Sequence, residues 1–236
     1  MQQPTVRGVA AGYERCDTDQ PAPLPGPERD LEPRGRPYVV AQLDLGELVH
    51  SRAPYRRSAT LSPVSPTIRA PRPDELDLLR DIERSAGQLF VDAGLDDIAA
   101  HEPETVENLA AYLQAGRAWV VVAGDGATAG YAVVDVVDGL AHLEQISVRA
   151  EYGGKGLGAA LLEWVCAWAA QQHFAAVTLT TFSDLPFNAP FYAHHGFAVI
   201  DDDDLGPELR ALRATEAAHG LDPARRVCMR RAVHAA

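Results

Sequence analysis

The sequence predicts an α/β domain in which a mixed β-sheet carries helices on its faces. Three observations support this class. Apolar runs of strand length alternate with stretches of helical periodicity along residues 67–236. Two Asp-Gly pairs lie between such apolar runs, and this dipeptide is a strong signal for a tight β-hairpin turn. A glycine-rich stretch at residues 153–158 leads directly into an apolar helical pattern.

The first half of the domain predicts one strand, two helices and three linked strands. Residues 67–70 form a short strand-like run, and residues 73–90 begin with proline and acids, which suit a helix N-terminus. A second helix at 102–116 ends at Gly116. Hairpin turns at Asp125-Gly126 and Asp138-Gly139 join three strands, predicted at 118–124, 129–137 and 140–148.

The second half predicts a long helix at 157–172 directly after the glycines, followed by a strand at 175–182. A short helix near 188–195 stops at Gly196, since glycine commonly ends helices. The remaining predicted elements are a strand at 196–200, a helix near 207–218 and a final strand at 226–233. An order of this kind gives a mixed sheet with helices on its faces.

Residues 1–66 are predicted to be a disordered extension rich in proline and arginine, and residues 67–236 are predicted to be the folded domain. Ten of the 17 prolines lie in the extension, a composition that favours extended chain over a packed core. One segment, residues 38–50, is apolar enough to form a strand or a short helix. A role in partner binding or regulation is the alternative interpretation of this extension.

The net charge lies in the predicted domain. Eight arginines and eight acidic residues balance in residues 1–66, so residues 67–236 carry the formal charge of −12. Such a domain repels nucleic acid and attracts cationic small molecules, which argues against a DNA or RNA partner.

Targeting and metal-binding signals are not evident in the sequence. There is no apolar run near the ~20 residues of a membrane span and no signal-peptide core, so we expect a cytoplasmic protein with no membrane partner. The three cysteines lack CxxC spacing and the eight histidines lack HxxxH spacing, so we expect no metal site.

Lys155 is the only lysine in the chain, and it lies inside the glycine-rich stretch. Glycines let backbone N–H groups approach a ligand, and the following helix offers unpaired N-terminal amides, which together predict a phosphate-binding loop. The Walker pattern is absent, whereas Gly154, Gly156 and Ala159 satisfy a loose GxGxx[GA] dinucleotide fingerprint. That fingerprint belongs to the first turn of a βαβ unit, but here hairpin-linked strands precede it. A purely structural glycine turn is the other alternative.

The stretch ISVRAEYGGKGLGAALL, residues 146–162, resembles the acetyl-CoA signature of the GNAT superfamily of acyl-CoA N-acyltransferases. That signature is a strand ending in valine, then [QR]-x-x-G-x-[GA] and a helix. Gly156 and Gly158 take its two glycine positions, and Gly153 stands where glutamine or arginine is usual. The similarity covers roughly residues 67–232, including the later FYAHHGF. It implies a GNAT-type mixed, mostly antiparallel central sheet of about seven strands with helices on both faces.

The resemblance implies acetyl-CoA as the acyl donor and no metal. The pyrophosphate would lie on the backbone amides of residues 153–159, and the acyl chain between the strands at 140–148 and 175–182, which splay apart in this family. Lys155 would supply the cationic contact missing at Gly153, or would be a solvated loop residue. The residues expected to bind acetyl-CoA are Ile146, Ser147, Val148, Gly153, Gly154, Lys155, Gly156, Leu157, Gly158, Ala159 and Asn188.

Two residues are expected to be catalytic. Glu144 stands where many superfamily members carry a glutamate base, and strand alternation would place it on one face with His142, Ile146 and Val148. Desolvation there would raise its pKa toward a useful range. Tyr192 matches the family tyrosine that protonates the CoA sulfur. His142 is interpreted as structural and not as a second base.

Other positions near these residues are less informative. Leu185 replaces the asparagine usual in the family, and Asn188 is expected either to contact the pantetheine arm or to cap the following helix. His194 and His195 suit a helix C-terminus. The run 201–204 is interpreted as a solvated loop, or as an acidic rim that attracts an amine.

Two tryptophans, Trp164 and Trp168, are four residues apart on the long predicted helix. This spacing places both on one helix face, and both are predicted to lie in the core.

The leading hypothesis is an N-acetyltransferase acting on a small-molecule or peptide amine, compatible with a homodimer. A CoA-binding sensor or inactive relative is the alternative, supported by the loss of the usual side chain at Gly153. An oxidoreductase using the loose dinucleotide fingerprint is the third hypothesis. The acceptor is expected to contact the first two helices and the C-terminal part.

Overall fold

The computed structural model describes residues 66–234. The predicted extension, with its apolar segment 38–50, lies outside the described residues apart from Pro66. None of the described helices is long and apolar enough to cross a membrane.

The strands are β1 (Thr67–Arg69), β2 (Ala118–Val122), β3 (Thr128–Val137), β4 (Leu140–Val148), β5 (Ala176–Phe182), β6 (Ala198–Val199) and β7 (Arg226–Ala232). The α-helices are α1 (Leu76–Ala86), α2 (Gln88–Asp92), α3 (Asp96–Ala99), α4 (Val106–Gln114), α5 (Leu157–Gln171), α6 (Ala189–His194) and α7 (Pro207–Ala218).

The seven strands form one sheet in the order β1-β2-β3-β4-β5-β7-β6. Every neighbouring pair is antiparallel except β4 and β5, which run parallel. The mixed, mostly antiparallel sheet of about seven strands is therefore confirmed.

The parallel pair β4–β5 is joined only at its beginning. Ala141 pairs with Val177 and His142 with Thr178, and no further register pair joins these two strands within residues 66–234. Beyond these pairs both strands continue, β4 to Val148 and β5 to Phe182. The carboxyl-terminal halves of the two strands therefore splay apart, and the sheet opens at its centre.

A β-bulge in β4 lies at the base of this opening. Val134 of β3 is opposite Leu143, but its neighbour Val133 is opposite Gln145, so Glu144 is the extra, unpaired residue of β4. The bulge reverses the alternation of side chains along the strand. Leu143 and Ile146 consequently lie in the same apolar cluster.

The bulge corrects one prediction from the sequence. Strict alternation placed Glu144 and His142 on one face with Ile146 and Val148. His142 instead lies on the face opposite these two apolar residues, and Glu144 occupies the bulge between the two alternating segments. Periodicity alone does not reveal an inserted residue, so the error follows from the assumption of a regular strand.

Helices cover both faces of the sheet, as predicted. One face packs against α1 and α4 through an apolar cluster that includes Leu79, Ile82 and Leu109. The other packs against α5 through a larger cluster that includes Leu161 and Val165. A third cluster joins α2 and α3 to the end of β5 and the loop that follows it; its buried members are Phe90, Phe182, Leu185, Phe187 and Leu221.

Three local predictions differ from the structure. The helix predicted at 73–90 is divided at Gly87 into α1 and α2, and the single turn α3 was not predicted. β6 has only two residues of the five predicted. Trp168 packs against the ring of Trp119, but Trp164 is 42% exposed and is not a core residue, because it lies at the edge of the apolar stripe of α5.

The β3–β4 hairpin holds the start of α7. Asp138 and Gly139 both have positive φ, at 51° and 71°, which fits a tight two-residue turn. The Asp138 carboxylate accepts hydrogen bonds from the backbone N–H groups of Glu208 and Leu209, at 2.9 and 3.0 Å. A residue outside the helix therefore provides the N-terminal cap that a helix residue usually supplies.

Candidate active site

A glycine-rich turn connects β4 to the N-terminus of α5. Gly154 and Gly156 adopt left-handed conformations, with φ of 75° and 74°, and Gly156 is the N-cap of α5. The first amides of α5 have no acceptor within the helix, which gives this end a partial positive charge. A Cβ added at Gly156 would meet no atom within 4 Å, so the space in front of it is open. The turn therefore suits an anionic ligand.

Gly153, which departs from the family signature, and the nearby Lys155 both have close contacts within their own loop. Gly153 has φ of −58° and ψ of 156°, which any residue adopts, but a Cβ there would lie 3.1 Å from the carbonyl oxygen of Ala150. The turn is thus tight at this position. The Lys155 ammonium donates to the Glu151 carbonyl oxygen at 3.0 Å and lies 4.6 Å from the Tyr152 ring centroid. Lys155 is exposed and folds back on its own loop.

Glu144 is a buried carboxyl group without a hydrogen-bond partner. Its residue is 2% exposed, and neither Oε1 nor Oε2 has a hydrogen-bond partner among the described residues. Burial raises its pKa well above the usual range, and the charges of Asp135, Glu216 and Glu104 act in the same direction. The Arg226 guanidinium opposes this shift. A carboxyl group in such surroundings accepts a proton readily.

His142 lies beside Glu144 in the same strand. Its Nε2 is 3.9 Å from Oε2 of Glu144, and its Nδ1 is 2.9 Å from the hydroxyl oxygen of Thr178 on β5. Burial lowers the pKa of His142 to about 4, with a further contribution from the Arg226 charge. The imidazole is therefore neutral near pH 7.

Tyr192, on α6, is fully buried, and its hydroxyl has no hydrogen-bond partner among the described residues. Burial raises its pKa well above the usual value, which keeps the phenol protonated, while the Arg226 charge acts in the opposite direction. The rings of Phe191 and Phe197 lie edge-on to it, with centroids 5.4 and 5.7 Å away. Both phenylalanines are buried.

The core cluster beneath α5 brings several predicted site residues together. Ile146 and Val148 of β4, Leu157 of α5 and Tyr192 of α6 are all members of this cluster. One packed cluster therefore includes the end of β4, the start of α5 and Tyr192.

Asn188 precedes α6 but does not cap it with its side chain. Its Nδ2 donates to the hydroxyl oxygen of Thr181 on β5 at 2.9 Å, and its carbonyl oxygen accepts from the Tyr192 N–H at 3.1 Å. Asn188 thus occupies the N-cap position of α6 without a side-chain capping hydrogen bond, and it ties the end of β5 to the helix that carries Tyr192. His194 is the last residue of α6 and His195 its C-cap, as predicted.

A buried ion pair lies on β7 and α7 below the opening. The Arg226 guanidinium is 2.6 Å from Oε1 of Glu216 and donates to the Thr180 hydroxyl at 2.8 Å. Both charged side chains are almost completely buried. Arg213 adds a second cation 3.6 Å from the Glu216 carboxylate.

Glu83 is a further carboxyl group that no motif in the sequence singles out. It lies on α1, partly buried, and accepts from the Tyr131 hydroxyl at 2.5 Å and from the Glu104 N–H at 3.4 Å. Burial raises its pKa to about 7, although the Tyr131 hydrogen bond opposes the shift. The sequence contains one signal for its burial: Glu83 is four residues after Leu79 and therefore lies on the apolar stripe of the helix.

The acidic run at residues 201–204 is exposed, with a 3-10 turn at Asp202–Asp204. This agrees with the interpretation as a solvated loop. No group of three or more histidine, cysteine, aspartate or glutamate side chains able to hold a metal ion occurs in residues 66–234.

The comparison with protein families identifies the class of enzyme. Residues 78–197, just over half of the chain, match the family described as the Acetyltransferase (GNAT) family. The chain belongs to the GNAT acetyltransferase family, which confirms the resemblance seen in the sequence.

A curated relative matches over a shorter stretch. Streptothricin acetyltransferase A of Bacillus subtilis (strain 168) is 40% identical over 63 residues. The match covers 26% of this chain and 36% of the relative. The chain thus spans about a third of the length of that relative.

Solved structures share the fold at low sequence identity. A GNAT-family acetyltransferase from Staphylococcus aureus Mu50 has a TM-score of 0.55 at 18% identity, covering 72% of this chain and 99% of that chain. N-acetylglutamate synthase from Neisseria gonorrhoeae, complexed with coenzyme A and N-acetyl-glutamate, has a TM-score of 0.54 at 14% identity, covering 75% and 36%. A Mycobacterium tuberculosis protein in complex with CoA has a TM-score of 0.53 at 16% identity, covering 71% and 99%.

The buried ion pair generates a stability prediction. Among the described residues, replacing Arg226 by methionine leaves the buried Glu216 with Arg213 as its one remaining ion-pair partner, so the free energy of unfolding should fall by about 3 kcal/mol. Urea unfolding followed by circular dichroism measures the change. Arg231→Met is the matched control, because Arg231 and Glu163 also lie 2.6 Å apart but are partly exposed, and it should lose less than about 1 kcal/mol. Equal losses in the two variants would contradict the importance of burial.

Proposed function

We propose that this enzyme transfers an acetyl group from acetyl-CoA to a primary amine, with Glu144 as general base and Tyr192 as general acid. The observation that carries the proposal is that Glu144 and Tyr192 each bury a polar group without a hydrogen-bond partner. Buried polar atoms are nearly always satisfied, so such exceptions call for an explanation. An amine acceptor and the thioester of acetyl-CoA would provide hydrogen-bond partners for Glu144 and Tyr192.

The described residues fit acetyl-CoA as donor. The open space before Gly156 and the N-terminus of α5 suit a pyrophosphate. Among the described residues no register pair joins β4 to β5 beyond His142, so the segment 146–148, with Ile146, Ser147 and Val148, borders the splayed strands, where a pantetheine arm could use its main-chain groups. Complexes of two structural neighbours with coenzyme A support this assignment. Asn188 is proposed to border the same arm, since it is anchored on β5.

Glu144 would act on the acceptor. An alkylamine is mostly protonated at pH 7, since a lysine-like pKa is about 10.4, and it must lose a proton before it attacks a thioester. A carboxylate whose pKa is raised by burial is a stronger base than an ordinary glutamate and suits this transfer. The proton moves from the amine nitrogen to an Oε atom of Glu144.

Tyr192 would act on the leaving group. Its hydroxyl keeps its proton because burial raises its pKa, so it is available to donate to the CoA sulfur as the thioester C–S bond breaks. The products are then an amide and a free thiol, once the remaining extra proton on the new amide nitrogen has returned to the Tyr192 oxygen. The packed rings of Phe191 and Phe197 hold the phenol in place without competing for its proton.

The acceptor class is proposed from charge and from relatives. The described domain is acidic, and Glu83 and Glu104 add carboxyl groups on the α1 side of the sheet. One relative is named for acetylation of streptothricin, and one structural neighbour is a synthase of N-acetylglutamate. A small-molecule or peptide amine is therefore the proposed acceptor, and a cytoplasmic location and a homodimer remain proposals.

A CoA-binding protein without transferase activity is the second candidate. The tight turn at Gly153 and the inward fold of Lys155 favour it, because neither residue reaches out to a phosphate. The decisive experiment is thiol release from acetyl-CoA across a panel of amines, paired with calorimetric titration of acetyl-CoA and NADH. Binding of acetyl-CoA without thiol release would favour the second candidate.

Gly156→Glu should abolish CoA binding while the domain stays folded. The new side chain would fill the open space before the turn and place a negative charge beside the phosphates, so the Kd for CoA should rise by about 100-fold or more. Isothermal calorimetry measures it. Gly139→Glu is the matched control: φ there is +71°, a Cβ is equally unobstructed, and the site lies at the opposite end of β4. Micromolar affinity in a folded Gly156→Glu variant would rule out the phosphate loop.

Tyr192→Phe should lower kcat by roughly 10²–10³-fold, as expected for loss of a general acid. The affinity for acetyl-CoA should barely change because the ring stays packed. The melting temperature should hold or rise, since the variant removes a buried hydroxyl without a partner. Stopped-flow thiol release with a good and a poor acceptor separates chemistry from product release. A full-rate variant would remove Tyr192 from the mechanism.

Glu144→Gln should lower the rate most near neutral pH and less at high pH. The wild-type carboxyl acts as a base only above its raised pKa, whereas at high pH more of the acceptor amine is already neutral and needs no base. The pH profile of kcat/KM measures this recovery. A residue that only held the acceptor would instead raise KM at every pH, so an unchanged profile shape would contradict the base assignment.

A further inference from the structure

His142 lies two residues before the bulge residue Glu144 in β4, and both side chains are at least 98% buried. Their facing atoms, Nε2 and Oε2, are 3.9 Å apart, which is longer than a hydrogen bond but within reach of a small side-chain rotation. The arrangement places a second titratable group next to the proposed base.

The contacts on the far side of the imidazole are compatible with a proton on Nδ1. The Thr178 hydroxyl donates to the carbonyl oxygen of Ala141 at 3.4 Å, so its lone pair is free to accept from His142. Nδ1 lies 2.9 Å from this oxygen and is then the protonated nitrogen. A neutral imidazole with its proton on Nδ1 has a lone pair on Nε2, and this lone pair faces Glu144.

We propose that His142 is a positioning residue for Glu144: held by Thr178 with its proton on Nδ1, it offers Nε2 as the hydrogen-bond acceptor for the protonated Glu144 carboxyl. The proton that Glu144 takes from the acceptor amine stays on Oε and is donated as a hydrogen bond to Nε2. His142 gains no proton and touches no substrate. The catalytic use of this contact rests on the proposed function above, but the contact itself does not.

Other charges also act on the pair. The two residues are neighbours in one electrostatic environment, and their titrations are best described together. Carboxylates that favour the protonated form of Glu144 come from β3, α7 and the turn before α4, and a guanidinium on β7 opposes them. These groups are Asp135, Glu216, Glu104 and Arg226. The hairpin residue Asp138 favours, and Arg226 disfavours, the protonated form of His142.

The test is a carbon-13 NMR titration of the Glu144 carboxyl in the full chain without acetyl-CoA, with the signal assigned by its loss in Glu144→Gln. His142→Asn keeps a donor for Thr178 but removes the acceptor at the Nε2 position. It should lower the pKa of Glu144 by about one unit, the size of one net hydrogen bond. His142→Gln, whose longer amide restores an acceptor near Nε2, should recover part of the shift.

Thr178→Val tests the tautomer of His142 without substituting either His142 or Glu144. Valine keeps the branched shape, removes the oxygen that accepts from Nδ1, and lets the imidazole place its proton on Nε2. The pKa of Glu144 should therefore fall in this variant too. His195→Gln, which removes a histidine that contacts Glu163 on the surface, is the control and should leave the Glu144 titration unchanged.

An unchanged Glu144 pKa in both His142→Asn and Thr178→Val would overturn the inference. A rise would overturn it as well, because it would mean that Nε2 carries a proton and stabilises the carboxylate. The acid limb of the kcat/KM profile should shift with the NMR values. If the NMR shifts occur but Glu144→Gln keeps full activity, the contact stands and the proposed base is wrong.

Discussion

The structure depends on a parallel strand pair that stops after two residue pairs. Buried backbone N–H and C=O groups need partners, and in a continuous sheet β4 and β5 would satisfy one another along their whole length. Among the described residues the pairing ends at His142 and Thr178, so beyond them the two strands no longer satisfy one another. The glycine turn, the bulge at Glu144 and the helix that carries Tyr192 all border that gap. A sheet with β4 and β5 paired along their whole length would keep its core but would have no opening between these strands.

The interior around the gap contains both signs of charge, unequally compensated. Arg226 and Glu216 neutralise one another at 2.6 Å, and this pair sets the background against which the other groups titrate. Glu144 has no comparable partner, and burial therefore governs its proton affinity. Two kinds of buried charged group therefore occur here. Glu216 is held in an ion pair, whereas Glu144 is available to exchange a proton. Only the second kind is useful to a base.

The sequence predicted the order of elements and most of their bounds because hairpin turns, glycines and apolar runs are local signals. It predicted Glu144 and Tyr192 because the family signature surrounds them, although the site roles themselves stay predictions. It did not reveal the bulge, since an extra residue leaves the composition of a strand unchanged. Thr178 and Glu83 were also missed. The role of each depends on a partner from another element, and such pairings are not visible along the chain.

The route by which the sheet closes is a consequence of its strand order. β2, β3 and β4 are joined by short turns and need little loop closure, whereas β5 meets β7 only after the chain has passed through α6, β6 and α7. Long-range pairings form slowly because the entropy of loop closure must be overcome first. We therefore expect the half of the sheet that carries Glu144 to assemble early and the half that carries Arg226 to join it late. The gap between β4 and β5 then lies where two halves that assemble at different times meet.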